Sequence, residues 1–187
     1  MRAQDTTGLQ GKITYRLKDA NGNAKKIFEP NKLGAKLIKK GIISPKANQT
    51  LLAILGLGSF KEAATIPNLV VDAGKAAVAS RINGAGGEAL FNYVAVGTGT
   101  TTPAATDTAL QTEVARQAAT VSRVTTSVTN DTAKMETTFN FTASYAITEA
   151  GTFNASTGGT MLNRHTFSAI NVNSGDALTI SVEIQVS

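Results

Sequence analysis

Phe91–Glu113 reads FNYVAVGTGTTTPAATDTALQTE. It opens as a strand, with Phe91, Tyr93, Ala95 and Gly97 on one side and Asn92, Val94 and Val96 on the other. β-branched and aromatic residues of this kind suit a pleated surface. The strand gives way at Gly97-Thr98-Gly99 to a Thr/Pro/Ala loop with almost no charge. A run so poor in catalytic side chains, followed by most of the chain's β signal, reads as scaffold.

Working outward from it, the C-terminal side is a succession of alternating segments separated by turn clusters. Val121, Val124 and Val128 alternate among Thr and Ser, and Thr129-Asn130-Asp131-Thr132 is a turn cluster. Met135–Ala146 reads as one long strand with Phe139, Phe141, Ala143 and Tyr145 on one side, followed by short strands at 149–154 and 160–167. Ala177–Val186 puts Leu178, Ile180, Val182, Ile184 and Val186 on one face and is the clearest strand in the chain. Short strands at this spacing predict an antiparallel β-sandwich, jelly-roll-like, in a mainly β protein. On the N-terminal side, Asn68–Asn83 predicts a helix with a narrow face of small residues, packed on the sheet, with Gly84 as its stop.

Upstream of Pro67 the composition shifts. Through Ile66 twelve basic residues face four acidic ones, a net +8; from Pro67 onward six basic face nine acidic, a net −3, which together give the chain's +5. The reading is therefore two parts, a basic N-terminal arm over 1–66 and a sandwich over 67–187. In the arm, residues 1–11 lack a pattern and are expected to order only against a partner. Lys12–Leu17 and Lys25–Phe28, joined through Asn21-Gly22, predict a hairpin. Short helices are predicted from Pro30 to Lys40 and from Lys46 to Leu55, with 57–66 a linker. An arm with this few large apolar residues needs something to lie on. Its candidate anchors are Ile13, Tyr15, Ile27, Phe28, Leu33, Leu37 and Ile38, with Lys36, Lys39 and Lys40 facing an acidic surface. The plain alternative for those lysines is a solvated helix face.

Catalytic readings are weak. His165 is the only histidine, and Ser168 and Asp176 would be its partners in a triad, yet no nucleophile elbow exists. Gly97-Thr98-Gly99 is a fragment of a phosphate-binding pattern, and Gly74-Lys75 lacks the first glycine of a P-loop. Glu149 and Asp176 would be the carboxylates of a glycosidase, but acids in β proteins usually sit at strand ends. The chain has no cysteine, so it has no disulfide or thiolate metal site, which fits a reducing cytoplasm. No cofactor, metal or small-molecule substrate is expected. The first residues, MRAQDTTGLQGK, lack the apolar segment of a signal peptide, and no stretch is long and apolar enough to cross a membrane. The arm's only aromatics are Tyr15, Phe28 and Phe60, which disfavours nucleic acid as its partner.

Three segments carry a resemblance: the run from Asn68 to Glu113, most specifically Gly97-Thr98-Gly99-Thr100 and Asp107-Thr108-Ala109-Leu110; then YAITEAGTFNASTGGTMLNRHTF; then AINVNSGDALTISVEI. Together they resemble a module of tailed-bacteriophage virion proteins, among them capsid decoration (cement) proteins and tail- or fibre-associated proteins. LKDANGNAKKIFEPNKL resembles the arm that accompanies it. The resemblance implies a multimeric β-sandwich with no catalytic residues to carry over. A short chain without shaft repeats or an aromatic sugar-stacking cluster favours the cement reading. That reading expects a non-enzymatic protein, made in the host bacterial cytoplasm and carried on the virion's capsid surface. It would bind the major capsid protein and staple neighbouring capsomers through the arm, with a homotrimer matching the shell's three-fold positions. The alternative is a tail, baseplate or head-fibre component binding another virion protein or a host glycan.

Overall fold

The computed structural model describes residues 8–187. The fold is mainly β and antiparallel, as the alternation predicts. In chain order the strands are β1 (Leu9–Lys18), β2 (Ala24–Lys25), β3 (Ile27–Pro30), β4 (Gly58–Lys61), β5 (Ala63–Val70), β6 (Tyr93–Gly97), β7 (Glu113–Ala118), β8 (Thr120–Val124), β9 (Thr132–Asn140), β10 (Tyr145–Phe153), β11 (Met161–Val172) and β12 (Ala177–Val186). Three helices join them: α1 (Lys32–Lys39), α2 (Gln49–Ile54) and α3 (Asp72–Asn83).

One sheet runs β7-β6-β10-β11-β5-β1-β12-β9-β8, with β2 attached to β1, and β3 and β4 form a separate pair. The sheet folds on itself as a nearly closed sandwich. Strand β5 joins its two layers, pairing with β1 along Ala63–Asn68 and with β11 only through Leu69 and Val70. At the other side Ala119 alone separates β7, which pairs with β6, from β8, which pairs with β9. Between the layers lies one core, in which Ile13, Tyr15, Met135, Phe139 and the Leu178–Ile184 face meet Val94, Val96, Ile147, Ile170 and Val172. A second, smaller cluster of Val71, Ala95, Leu110, Phe153 and Met161 covers the outside of the β6-β10-β11 layer.

The N-terminal arm is corrected by this topology. Leu9–Lys18 is not an appendage but an interior strand, paired with β12 from Leu9↔Val186 to Lys18↔Ala177 and with β5 on its other edge. The apolar face of β12 needs apolar strands on both sides, and Ile13, Tyr15 and Leu17 supply one of them. Residues 1–7 of the stretch expected to order only on a partner lie outside the described residues; Leu9–Gly11 pairs with β12 within the chain. The boundary drawn at 66/67 falls inside β5, so 57–66 is no linker and the predicted 68–83 helix starts later, at Asp72. Met135–Ala146 is two strands, broken between Asn140 and Tyr145.

The hairpin turn is as the sequence implies. Asp19 Oδ1 accepts from the amides of Asn21 and Asn23, both at 2.9 Å, and Gly22 takes φ +83°. Its return strand splits: β2 stays beside β1, while β3 leaves to pair with β4. Between β3 and β4 the chain emits α1 and α2. Asn31 caps α1 by accepting from Leu33 and Gly34, and Asn48 caps α2 by accepting from Leu51. Gly34 is required where it stands, since a Cβ there would lie 2.1 Å from the Leu57 carbonyl oxygen. The helical insert is pinned to β11, the Ala169 amide donating to Pro45 O at 2.9 Å and Gln49 Nε2 donating to Ala169 O. Of the face predicted for α3 (Leu69, Ala73, Ala76, Ala77, Ser80 and Ile82) only Ala77 is buried within the helix, Leu69 belongs to β5 and Ile82 is 84% exposed. The close approach is instead made by Gly74, set directly on the Leu162 backbone.

Candidate docking surface

The most chemical-looking group in the molecule is the buried centre beneath the Phe91–Glu113 stretch. Glu149, on the outer side of β10, is fully buried, and Arg164 beside it on β11 is 2% exposed. Glu149 Oε1 accepts from the amides of Gly99 (3.0 Å) and Thr112 (2.7 Å). Its Oε2 accepts from the Gln111 amide at 3.0 Å and from Arg164 Nε and Nη2 at 3.0 and 2.8 Å. Arg164 also donates to Asp107 Oδ2 at 2.8 Å and to Thr101 Oγ1 at 3.1 Å. Burial raises the Asp107 pKa, but the Ala104 amide and the Arg164 guanidinium outweigh it and hold this carboxyl below its ordinary range.

A carboxylate with five donors around it has no lone pair left for a substrate proton. This centre closes the loop 98–112 over the sheet; it is a clasp. The same contacts occupy the amides that a phosphate would need. The Gly99 amide goes to Glu149, that of Thr98 to Thr112 O, and those of Thr100 and Thr101 to Gln111 Oε1. Asp176, the other carboxylate of the glycosidase reading, is engaged elsewhere, with Lys25 Nζ at 2.6 Å and the Asn173 amide at 2.8 Å. His165 lies on β11 beside Phe167, with ring centroids 6.3 Å apart. Burial, and then the charge of Arg164, lower its pKa to about 4, so it is neutral at pH 7. It hydrogen-bonds neither Ser168 nor Asp176, and Ser168 Oγ has no partner among the described residues. Lys75 pairs with Asp72 on α3 at 3.0 Å. No group of three His, Asp or Glu side chains able to hold a metal occurs among the described residues, and no helix there is long and apolar enough to cross a membrane. The clasp was the feature least visible in the sequence. Its one signal was a guanidinium, Arg164, placed mid-strand among residues that alternate toward a core.

The anchors assigned to the arm divide in two. Ile13, Tyr15, Ile27 and Phe28 are 0–4% exposed and belong to the core, so they are removed from the partner-binding set. Tyr15 packs on Phe167 at 4.6 Å between centroids, and Phe28 meets Phe60 edge-on at 5.6 Å. Leu33, Lys36 and Lys39 on α1 and Lys40 at its C-terminal cap are exposed, and Leu37 and Ile38 are half-buried. The surface they belong to is larger than predicted. Leu33, Ile42, Leu51, Ile54, Leu55 and Phe60, all from the insert between β3 and β4 or its flank, are 40–77% exposed. Within 31–57 there are five lysines (32, 36, 39, 40 and 46) and no acidic residue. None of the five lies within ion-pair distance of a carboxylate among the described residues. Lys36 and Lys39 also stand in the last turn of α1, where the helix dipole favours positive charge. An apolar and cationic patch of this kind is matched by a surface that is apolar and anionic.

Comparison with protein-family models, with curated proteins and with solved structures finds no match to this chain.

Proposed function

We propose that this chain is a non-enzymatic structural component of a tailed-phage virion, a decoration (cement) protein that binds the acidic outer surface of the shell. The observation that carries the proposal is the 31–57 insert, with its exposed leucines and isoleucines and five lysines free of ion pairs among the described residues. The resemblance of the three β segments to phage virion modules supplies the class of particle. The chemistry described above supports a binding role, because the buried carboxylate is saturated and the histidine is uncharged and isolated.

The attachment differs from the one the sequence suggested. A rigid sandwich presents the helical insert, rather than an unfolded arm reaching out. Each insert side chain that becomes fully buried on the shell contributes ~1.5–3 kcal/mol before ordering costs, and the insert is already ordered by its contacts to β11. Several copies meeting around a shell symmetry axis would repeat that contact with closed symmetry. The test is co-sedimentation of the full chain with purified shells. Lys36→Glu/Lys39→Glu/Lys40→Glu is expected to lose at least tenfold in affinity while keeping its thermal midpoint, and the wild-type interaction is expected to weaken with salt. Unchanged sedimentation of the triple variant would rule out this surface.

A further inference from the structure

Strands β5 and β11 start as a ladder and then part. Leu69↔Arg164 is their last pair. Continued in register, Pro67 would oppose Thr166, and proline has no N–H to donate, so the ladder cannot extend there. Among the described residues, β5 beyond that point keeps only β1 as a partner, and the edge of β11 away from β10 makes no backbone pair until Ala169 reaches Pro45. The space beside the two strand edges is a groove of about 1020 Å³, lined also by residues of α1, the 41–45 connector and Thr100–Pro103.

The lining of this groove is unusual. All four prolines of the chain, at 30, 45, 67 and 103, face it, together with Phe167. Their walls are rigid before anything binds, which lowers the ordering cost of an occupant. Two polar side chains of the lining lack partners among the described residues: the Asn68 amide, lying over Gly11, and buried Ser168 Oγ. Lys39 lines the groove and no acidic residue does.

We propose that this groove accepts an extended acidic segment of a partner protein, laid beside β11 as an added strand. The unpaired strand edge supplies backbone hydrogen bonds. Alternate side chains of the guest divide between the proline walls and the lysine-bearing rim. Glutamates or aspartates on the outward side meet Lys39, and apolar residues on the other side meet Phe167 and the prolines. The identification of the guest as part of a virion shell rests on the function proposed above; the chemistry of the groove does not.

The experiment uses the full chain and a fluorescein-labelled decapeptide of alternating valine and glutamate, with its valine–lysine counterpart and a ten-base thymidine oligonucleotide as comparisons. Fluorescence anisotropy reads binding, and amide hydrogen exchange reads position. The glutamate peptide is expected to bind at least tenfold more tightly than either comparison and to slow exchange of the 166–168 amides at least tenfold. Ala35→Trp, at an exposed α1 position lining the groove, and Lys39→Glu, at its rim, are each expected to weaken binding at least tenfold. Absence of binding, protection elsewhere, indifference to both variants, or preference for the oligonucleotide would each overturn the proposal. If the peptide fails to bind as described while wild type sediments with shells, the groove inference fails and shell docking stands. If wild type ignores shells but the peptide binds as described, the shell reading fails and the groove stands.

Discussion

Glu149 and Arg164 show how one buried pair can organise the whole of loop 98–112. Taking both charges out of water is costly, and what offsets it is complete saturation by Gly99, Gln111, Thr112, Asp107 and Thr101. Removing one partner leaves the other uncompensated. Glu149→Gln is expected to cost about 3–5 kcal/mol of stability, read as a lower urea midpoint; a change under about 1 kcal/mol would mean the clasp is not closed in solution. His165 sets a second residue-scale expectation. Its folded pKa, about 4, lies below its ordinary 6.5, so below pH 6.5 the unfolded chain takes up a proton that the folded chain refuses. The stability contributed is full above pH 6.5 and is lost as pH falls toward 4, by about 3 kcal/mol in all. Carboxylates held low, such as Asp107 and Asp131, act in a lower window, because their contribution is present above the ordinary carboxylate range and lost beneath it. Unfolding titrations at pH 7 and pH 4.5 should therefore differ in wild type and converge in His165→Gln. Equal slopes in both proteins would contradict the burial of this ring.

At the scale of elements, what was legible depended on period. β12 could be read to the residue because five apolar side chains alternate without interruption, and the α1 stop could be read from Gly41, which takes φ +71°. β5 could not, because AATIPNLV contains a proline and only three large apolar residues, and its strand character comes from β1 on one edge and β11 on the other. The Phe141–Ser144 break hid inside an alternation that happened to continue across it. The clasp was illegible for a different reason: Glu149 and Arg164 are fifteen residues apart on neighbouring strands, and only the register of β10 with β11 brings them together. The same lesson separates the assigned anchors. Ile13 and Leu33 look alike in sequence, yet one fills the core and the other lies on α1 in solvent. Ile13→Ala is expected to cost about 2–5 kcal/mol, whereas Leu33→Ala should leave stability within about 0.5 kcal/mol and weaken shell binding instead. The reverse pattern in thermal unfolding and sedimentation would restore the arm.

For the molecule as a whole, the charge asymmetry that suggested two parts is real but does not divide the fold. Summed charge is blind to topology. Lys12 of the basic segment stands on the outer face of the sheet and pairs with Glu183 at 2.8 Å, while Lys25 pairs with Asp176. What remains of the positive excess is concentrated on the insert between β3 and β4, so a single sandwich carries one cationic, apolar face. A protein built this way, with its polar centre locked and an apolar, cationic face exposed, fits the structural role proposed above. The most direct test is its copy number relative to the major shell protein in purified particles. The account predicts on the order of hundreds of copies, comparable with the shell subunit, as a lattice position requires. A few to a few dozen copies would place the chain on the tail, neck or a vertex fibre, and absence from particles would contradict a virion role altogether.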